Sequence, residues 1–552
     1  MPFVGDIFSQ LNAAEDTKVI LEIRDGQATG VTGGEFLELI RKARTFLAAR
    51  GLKKGDRCGL LAANSIRWMA MDLAAMAEGL IVVPLYSRQA PAELAAMIKD
   101  STPSLVCCGD ATLRDGIRQN WPGSGSEPPH FLFDEIFAGV DGIALNQLQI
   151  READPVAIIY TSGTSGEAKG VMLTAANVGF MLGCTSARLD ALMGGRSGQD
   201  RIFHYLPFSF CASWIAMLTF MLRGSLVTLN TDLSKIPSDM PATAPHYFLN
   251  VPQLLERMRR GVDEQIAQKG GVAQALYLRA KAAWARKKEK RSQPGDGLWL
   301  WLANAVVFPA IRKKMVGDNL KALICGSAPL TPETQDYFSM LGIPVLQVYG
   351  LTETTGICTM DDPHNFAPGR VGPAIPGIEM RLGENDEIVV RGSNVFPGYW
   401  KGPEQTGDAL RDGWFHTGDQ GEMDASGNWR IVGRIKNLIV LGSGHKIAPE
   451  TIEQEIAHHL PTAQQVVIVG NGRGYLSAIV TGSVTSEQIQ VALDAVNPNL
   501  PHYKQVRTYH LRPEPFSVDS GMLTAMGKLK RDAIAARMKN EIDEMYQVKQ
   551  AV

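Results

Sequence analysis

This sequence has no Cys-x-x-Cys pair, no signal-peptide pattern, no long apolar run and almost no net charge. Each absence removes a class of function. Its seven cysteines (58, 107, 108, 184, 211, 325, 358) include no pair at that spacing and no histidine partner at zinc spacing. An odd number in a chain this long fits reduced thiols in a cytosolic setting better than a disulfide scaffold. The opening Met1-Pro-Phe-Val-Gly-Asp-Ile-Phe lacks a basic region leading into an apolar core, so no secretory signal is expected. No uninterrupted apolar run reaches the ~18–20 residues that a spanning helix requires. The net charge of -2 gives no global reason to expect nucleic acid or an acidic membrane as partner. What is present is an ordinary globular composition, 45% apolar and 20% charged, in 552 residues. That length holds more than one domain with large cores. A soluble cytoplasmic protein is the expectation.

Hydrophobic spacing organises the first third of the chain. Residues 34–50 carry apolar positions at helical intervals, and Arg57-Cys-Gly-Leu-Leu61 reads as a strand. A helix over Ile66–Glu78, a strand at Ile81–Leu85, a helix near Ala90–Asp100 and a strand at Ser104–Cys107 follow. Strands alternating with helices of this length predict mostly parallel sheets covered by helices, an α/β fold. The alternation resumes at Leu320–Cys325 and Ile343–Val348. Residues 387–432 turn to short strands broken by Gly, Asn and Asp, which predicts a β-rich subdomain. The boundary is placed at Gly433–Lys436, giving domains over 1–433 and 434–552, the second a smaller α+β unit.

The run Tyr160-Thr-Ser-Gly-Thr-Ser-Gly-Glu-Ala-Lys-Gly170 sets four hydroxyls and one cation among three glycines. Small residues let the backbone approach a ligand, and successive amide groups with hydroxyls form a nest for anionic oxygens. Pro155–Tyr160 before it and Val171–Leu173 after it read as strands. The order Lys169-Gly170-Val171 lacks the Gly-Lys-Ser/Thr of a P-loop, so this is a phosphate cradle of another kind.

Further motifs follow in order: Gln347-Val-Tyr-Gly-Leu-Thr-Glu-Thr354, Gly413-Trp-Phe-His-Thr-Gly-Asp419, Gly433-Arg-Ile-Lys436 and Met526-Gly-Lys-Leu-Lys530. Their order and spacing resemble the adenylate-forming superfamily of acyl-CoA synthetases, luciferases and peptide-synthetase adenylation domains, over roughly residues 15 to 540. The resemblance implies ATP-dependent activation of a carboxylic acid as acyl-AMP, then transfer to a thiol. A carboxylate is a poor acyl donor because its leaving group would be oxide, whereas AMP leaves readily. Adenylation needs charge neutralisation and in-line positioning more than a base.

By that resemblance Thr161, Ser162, Gly163, Thr164, Ser165, Gly166 and Lys169 would hold the phosphates that leave as pyrophosphate. Ser165 and Ala168 depart from the family's usual threonine and proline. Gly326, Ser327 and Ala328 would line the adenine, Tyr349 would stack on it beside Gly350, and Thr352 would touch the α-phosphate. Glu353, with Thr161, would ligate Mg²⁺, a hard cation that takes one or two carboxylates plus substrate oxygens. Asp419, in what reads as a glycine turn, would accept from both ribose hydroxyls, with Arg434 reaching ribose or phosphate. Lys528 would bridge the acid's carboxylate and the α-phosphate. Lys436 occupies the hinge position, which makes 434–552 a mobile lid. Gly442 and Gly444 would line the passage for the pantetheine arm of CoA, with His445 a local surface residue.

One departure bears on the substrate. His204-Tyr-Leu-Pro-Phe-Ser-Phe210 aligns with a segment where acyl-CoA synthetases commonly read Leu-Pro-Leu-Ala-His, so Phe210 stands in for that histidine. With Phe208 and Trp214 it makes an aromatic wall suited to a greasy acid. Arg279–Arg291 carries seven cations in thirteen positions ahead of Leu298-Trp-Leu-Trp-Leu302. Such a pair is compatible with peripheral contact with the inner face of a membrane through 279–308, while the plainer reading, which is preferred, is a solvated helix followed by a buried one. The expectation is a long-chain fatty acyl-CoA synthetase using ATP, Mg²⁺ and CoA on a fatty or other hydrophobic carboxylic acid, with no nucleic acid. Its rivals are an acyl-AMP ligase loading an acyl carrier protein, a peptide-synthetase module, and a non-catalytic adenylate-binding or membrane scaffold protein.

Overall fold

The computed structural model describes residues 2–24, 26–123, 125–138, 145, 149–162, 168–195, 198–524 and 527–547. Compactness divides the chain into two units. The first takes Met1–Glu379, Val390–Phe415 and Ala425–Trp429. The second takes Met380–Val389, His416–Asp424 and Arg430–Val552.

Two large sheets build the first unit. One runs in the order His130–Leu132, Leu105–Cys108, Arg57–Leu61, Ile81–Leu85, Pro155–Ser162, Ala168–Thr174. Its strands are parallel except the last, which returns antiparallel on Pro155–Ser162. The other has eight strands and is parallel apart from an antiparallel strand at each edge. Ile81–Leu85 is buried at every position, as a strand covered on both faces must be. The helices expected from spacing form where local signals start them. Thr32 and Glu35 make a capping box for Gly33–Ala49, and the Ser65 side chain accepts from Trp68 N to open Ile66–Ala77.

In the second unit the strands Ala463–Val469, Leu476–Gly482 and Val506–Arg512 form one sheet. Ile452 and Ile456 of helix Pro449–His459 and Ile489 and Leu493 of helix Ser486–Val496 share a buried core with Ile468, Ala478 and Val480. The α/β class, with a smaller domain that also contains strands, is therefore as expected.

Three local readings change. Cross-strand pairing carries the first strand of the glycine hairpin to Ser162 and starts the second at Ala168. Thr417-Gly-Asp419 lies inside the ten-residue strand Trp414–Met423 and not in a turn; a positive φ of 69° at Gly418 kinks the strand there. The basic stretch lies largely in helix Gly271–Lys288, which buries Tyr277, Ala280 and Ala283 in the core. In the next helix, Asp296–Leu302, Trp301 stays 65% exposed. Among the described residues no helix is long and apolar enough to cross a membrane.

Candidate active site

The first unit gathers the glycine hairpin and the Tyr349–Thr354 segment around one tyrosine. Thr161 and Lys169 are direct cross-strand partners, so their side chains leave the same face of the hairpin. Ser162 pairs with Ala168 at the end of the described strand, while Gly163, Thr164, Ser165 and Gly166 lie outside the described residues. On its other edge, Ala168–Thr174 meets the segment 398–402. Val171 bridges Tyr399, Met172 N donates to Gly398 O at 3.2 Å, and Trp400 N donates to Gly170 O at 2.7 Å. A Cβ on Gly170 would stand 2.8 Å from Ile158 and 3.2 Å from Trp400, so only glycine fits this approach.

That pairing delivers Tyr399. Its ring lies 5.2 Å from the Lys169 ammonium, and its hydroxyl donates to Glu353 Oε1 at 2.9 Å. Burial and the neighbouring Glu353 charge push the phenol far above its ordinary pKa, so it stays a donor. Glu353 is in turn held by its backbone, since Phe396 N donates to Glu353 O at 2.9 Å. Thr355 and Asn394 stitch the same two segments together: Thr355 Oγ1 donates to Asn394 O at 2.8 Å, and Asn394 Nδ2 to Ile357 O at 3.2 Å.

Tyr349 ends the strand Val345–Tyr349, and Gly350 and Thr352 follow it into a short 3₁₀ turn. At Gly350 a Cβ would lie 2.5 Å from Gly356 O and Ile357 Cα. Gly326, Ser327 and Ala328 leave the adjacent parallel strand Ala322–Cys325, where Cys325 pairs with Gln347. A Cβ on Gly326 would meet Val348 at 2.8 Å, and Ser327 takes a left-handed φ of 72°. Gly326–Ala328 and Tyr349–Gly350 thus stand at the carboxyl ends of two neighbouring parallel strands.

The aromatic wall stands beside these residues. Phe210 and Tyr86 have ring centroids 5.2 Å apart. Next along, burial raises the Cys211 thiol pKa, and the Glu353 charge adds to it. Ala212 packs within 3.2 Å of where a Gly356 Cβ would be. The loop bearing Phe210 is held by Asn64, Trp68 and Asp72, spaced by four on one helix and its lead-in. Asn64 Nδ2 donates to Leu206 O at 2.7 Å and Asn64 Oδ1 accepts from Phe208 N at 2.9 Å. Trp68 packs on Phe208 at 5.0 Å, and Trp214 Nε1 donates to both Asp72 oxygens at 3.0 and 3.1 Å. Burial lifts Asp72 to about 7 against the Trp214 bond. His204, stacked on Phe208 and pushed by burial down to about 4, is a neutral structural ring bonded to Leu206 O and Ser213.

The second unit holds the other group. Asp419 is buried, and Arg434 Nε pairs with its Oδ1 at 2.7 Å. Thr417 Oγ1 donates to Ile388 O at 2.7 Å, and Glu387 accepts from Gly418 N at 2.9 Å. These bonds fix the strand that carries Asp419. Lys528 is exposed as a residue, yet desolvation of its ammonium and then the Arg434 charge lower its pKa, with Asp419 opposing. Lys436 sits in the turn Ile435–Asn437 and is likewise lowered, by burial first and Arg434 second. Gly442 N donates to Arg473 O at 2.8 Å, and Gly444, at φ 84°, closes the turn with N–H to Leu441 O at 2.8 Å. His445 stacks on Tyr503 at 4.3 Å. Asp419, Arg434, Lys436 and Lys528 thus share one electrostatic neighbourhood within the second unit.

Tyr399, Tyr86 and Asp72 were not foreseen. Pro397-Gly-Tyr-Trp400 carries no local sign of its partner more than two hundred residues earlier. A lone Asp in the apolar helix Ile66–Ala77 was a readable signal.

Residues 9–400 match the family model described as AMP-binding enzyme, and residues 436–550 match that of the AMP-binding enzyme C-terminal domain. The long-chain-fatty-acid–CoA ligase FadD15 of Mycobacterium bovis is 27% identical over 98% of this chain and 96% of its own length. Long chain acyl-CoA synthetase 3 of Arabidopsis thaliana is 26% identical over 95% of this chain and 88% of its own. The structure of ATP-bound MatB from Rhodopseudomonas palustris superposes with a TM-score of 0.73 at 24% identity, covering 97% of this chain and 99% of that one, a likeness of fold.

Proposed function

This chain belongs to the AMP-binding enzyme family, and on that premise we propose that it joins a hydrophobic carboxylic acid to the thiol of coenzyme A using ATP. The observation that carries this reading is the meeting of Lys169, Tyr399 and Glu353, a cation, a donor and a carboxylate at the mouth of the glycine hairpin. The relative named as a long-chain-fatty-acid–CoA ligase supports a fatty acid, the one named as a long chain acyl-CoA synthetase supports a long acyl chain, and the aromatic wall at Phe208 and Phe210 supports an apolar one.

In the first step an acid carboxylate oxygen attacks the α-phosphorus of ATP, the bond to the β-phosphate oxygen breaks, and pyrophosphate leaves. Lys169 and the hairpin neutralise the departing charge. Tyr349 and Gly326–Ala328 hold the adenine and Thr352 the α-phosphate, while Asp419 and Arg434 hold the ribose. Lys528 joins the acid carboxylate to the α-phosphate. Among the described residues no three His, Cys, Asp or Glu side chains gather to hold a metal. Glu353, whose backbone is held by Phe396 N, would offer one carboxylate and Thr161 one hydroxyl, a donor set that suits an ion carried mainly by phosphate oxygens. Bound there, Mg²⁺ would neutralise phosphate charge. In the second step the CoA sulfur attacks the acyl carbonyl, AMP leaves with the electron pair, and the thiol proton passes to solvent. Gly442 and Gly444 border the pantetheine arm, and the domain 434–552 turns about Lys436 between the steps.

Exposed Leu298, Trp301 and Val306, flanked by the cations of 279–291, support a peripheral lipid contact by which such an acid would be drawn from a bilayer. Co-sedimentation with anionic vesicles, lost in Trp301→Asp, tests it; equal sedimentation of both proteins contradicts it.

The whole reading is tested by pyrophosphate release with acids from C2 to C18, with and without CoA. Multiple turnovers only with CoA, fastest on long acids, are expected. Release that stalls near one equivalent despite CoA would move the acceptor to a carrier protein.

A further inference from the structure

Lys528 directly precedes Leu529, which pairs antiparallel with Leu523. Thr524 N donates to Lys528 O at 2.8 Å and Lys530 N to Met522 O at 2.9 Å. Leu523 and Leu529 pack against the core that includes Val467, Ile479 and Phe516, and Arg531, three residues past Lys528, opens the next helix, Arg531–Arg537. The Arg531 guanidinium donates to both oxygens of Glu453, Nη1 to Oε1 at 2.8 Å and Nη2 to Oε2 at 2.5 Å. Glu453 is buried on helix Pro449–His459, and its Oε1 also accepts from Ile468 N at 2.7 Å.

The same helix reaches the other charged segment through its first turn. Glu450, three residues before Glu453, stands 3.9 Å from Arg531 and accepts from Asn437 Nδ2 at 2.6 Å. Asn437 directly follows Lys436 and lies three residues after Arg434. Gly433 packs so closely here that a Cβ would fall 2.8 Å from Glu450 Oε2 and 2.7 Å from the Ala448 Cβ. One helical turn therefore clamps two stretches of chain, one carrying Arg434 and Lys436, the other carrying Lys528.

A buried ion pair is a weak device for stability, because desolvation offsets most of its attraction. A two-point guanidinium–carboxylate contact is a strong device for geometry, since it fixes both distance and direction. Geometry is what a lysine on a flexible stem lacks, and a displacement of ~1 Å in an active group can cost ~10²-fold in rate.

We propose that Glu453, acting through Arg531, is a positioning residue that sets where Lys528 stands relative to Arg434 and Asp419, and that Glu450 extends the clamp to Asn437. This rests on the reading of Lys528 as the lysine of the adenylation step.

The test uses the full chain and two assays on each variant: pyrophosphate release from acid and ATP, and thioester formation from supplied acyl-AMP and CoA. Glu453→Gln and Arg531→Lys should each lower the first by roughly 10–100-fold, with the KM for ATP little changed, and leave the second near wild type. Arg531→Met should fall further than Arg531→Lys, which keeps a single contact. Loss of both activities in equal measure would show a merely structural pair and overturn the proposal. Full adenylation by folded Glu453→Gln and Arg531→Lys, beside a Lys528→Ala variant that has lost it, would overturn the proposal alone. If Lys528→Ala itself adenylates normally, the functional reading of Lys528 falls and the positioning role with it. Should Glu453→Gln not fold, Arg531→Lys, which keeps the charge pair, decides.

Discussion

The Tyr399 hydroxyl donates to Glu353 Oε1 at 2.9 Å, across 46 positions of sequence. The same ring lies under the Lys169 ammonium. One side chain therefore couples the carboxylate proposed for the metal to the cation proposed for the leaving phosphates.

Removing that hydroxyl leaves the ring and deletes one charge-assisted bond, a contribution of about 1.5–3 kcal/mol. Tyr399→Phe should slow pyrophosphate release by roughly 10-fold or more, and Tyr399→Ala should slow it further because the Lys169 contact goes too. Initial rates at saturating acid check this. An unchanged rate in Tyr399→Phe would remove Tyr399 from the account.

Phe210 faces Tyr86 at the end of the wall held by Asn64, Trp68 and Asp72. Burying a phenyl ring contributes about 1.5–3 kcal/mol, so Phe210→Ala should raise the KM for a long acid by roughly 10-fold while the KM for ATP stays put. Equal changes in both KM values would mean that the wall is general scaffolding.

Asp72 provides a pH test. Its folded pKa is raised from 3.8 to about 7 by burial. Between those values the folded state binds more protons than the unfolded chain, so this group's contribution is full at low pH and is lost as pH rises through about 7. Asp72→Asn keeps an oxygen for Trp214 Nε1 and cannot ionise. The melting temperature of the variant relative to wild type should therefore be higher at alkaline than at mildly acidic pH. A difference independent of pH would contradict this.

The Lys528 ammonium, lowered from 10.5 by desolvation and by Arg434, must be protonated to join two anions. Adenylation should fall as pH rises through a value below 10.5. In Lys528→Arg, whose guanidinium stays charged, any residual activity should lack that alkaline limb. An identical limb in both proteins would assign it to another group.

Much of this was legible in the chain. The helix over 34–50 and the strands at Arg57–Leu61 and Ile81–Leu85 follow from spacing, and the structure adds the Thr32–Glu35 cap that starts the helix. The hairpin between two strands was readable because the hydroxyls and glycines interrupt two apolar runs. What could not be read is long-range pairing. Nothing local at Tyr399 names Val171 as its partner, and nothing at Glu453 names Arg531. Asp419 was expected in a turn because Thr-Gly-Asp is a turn sequence; the strand wins because its neighbours pair on both sides and Gly418 absorbs the kink.

The most direct test of the central claim is ATP–pyrophosphate exchange without any thiol, run with hydrophobic acids. The account predicts exchange that requires both the acid and magnesium and that is lost in Lys528→Ala. Absence of exchange with every acid, or formation of ADP and phosphate instead, would contradict it.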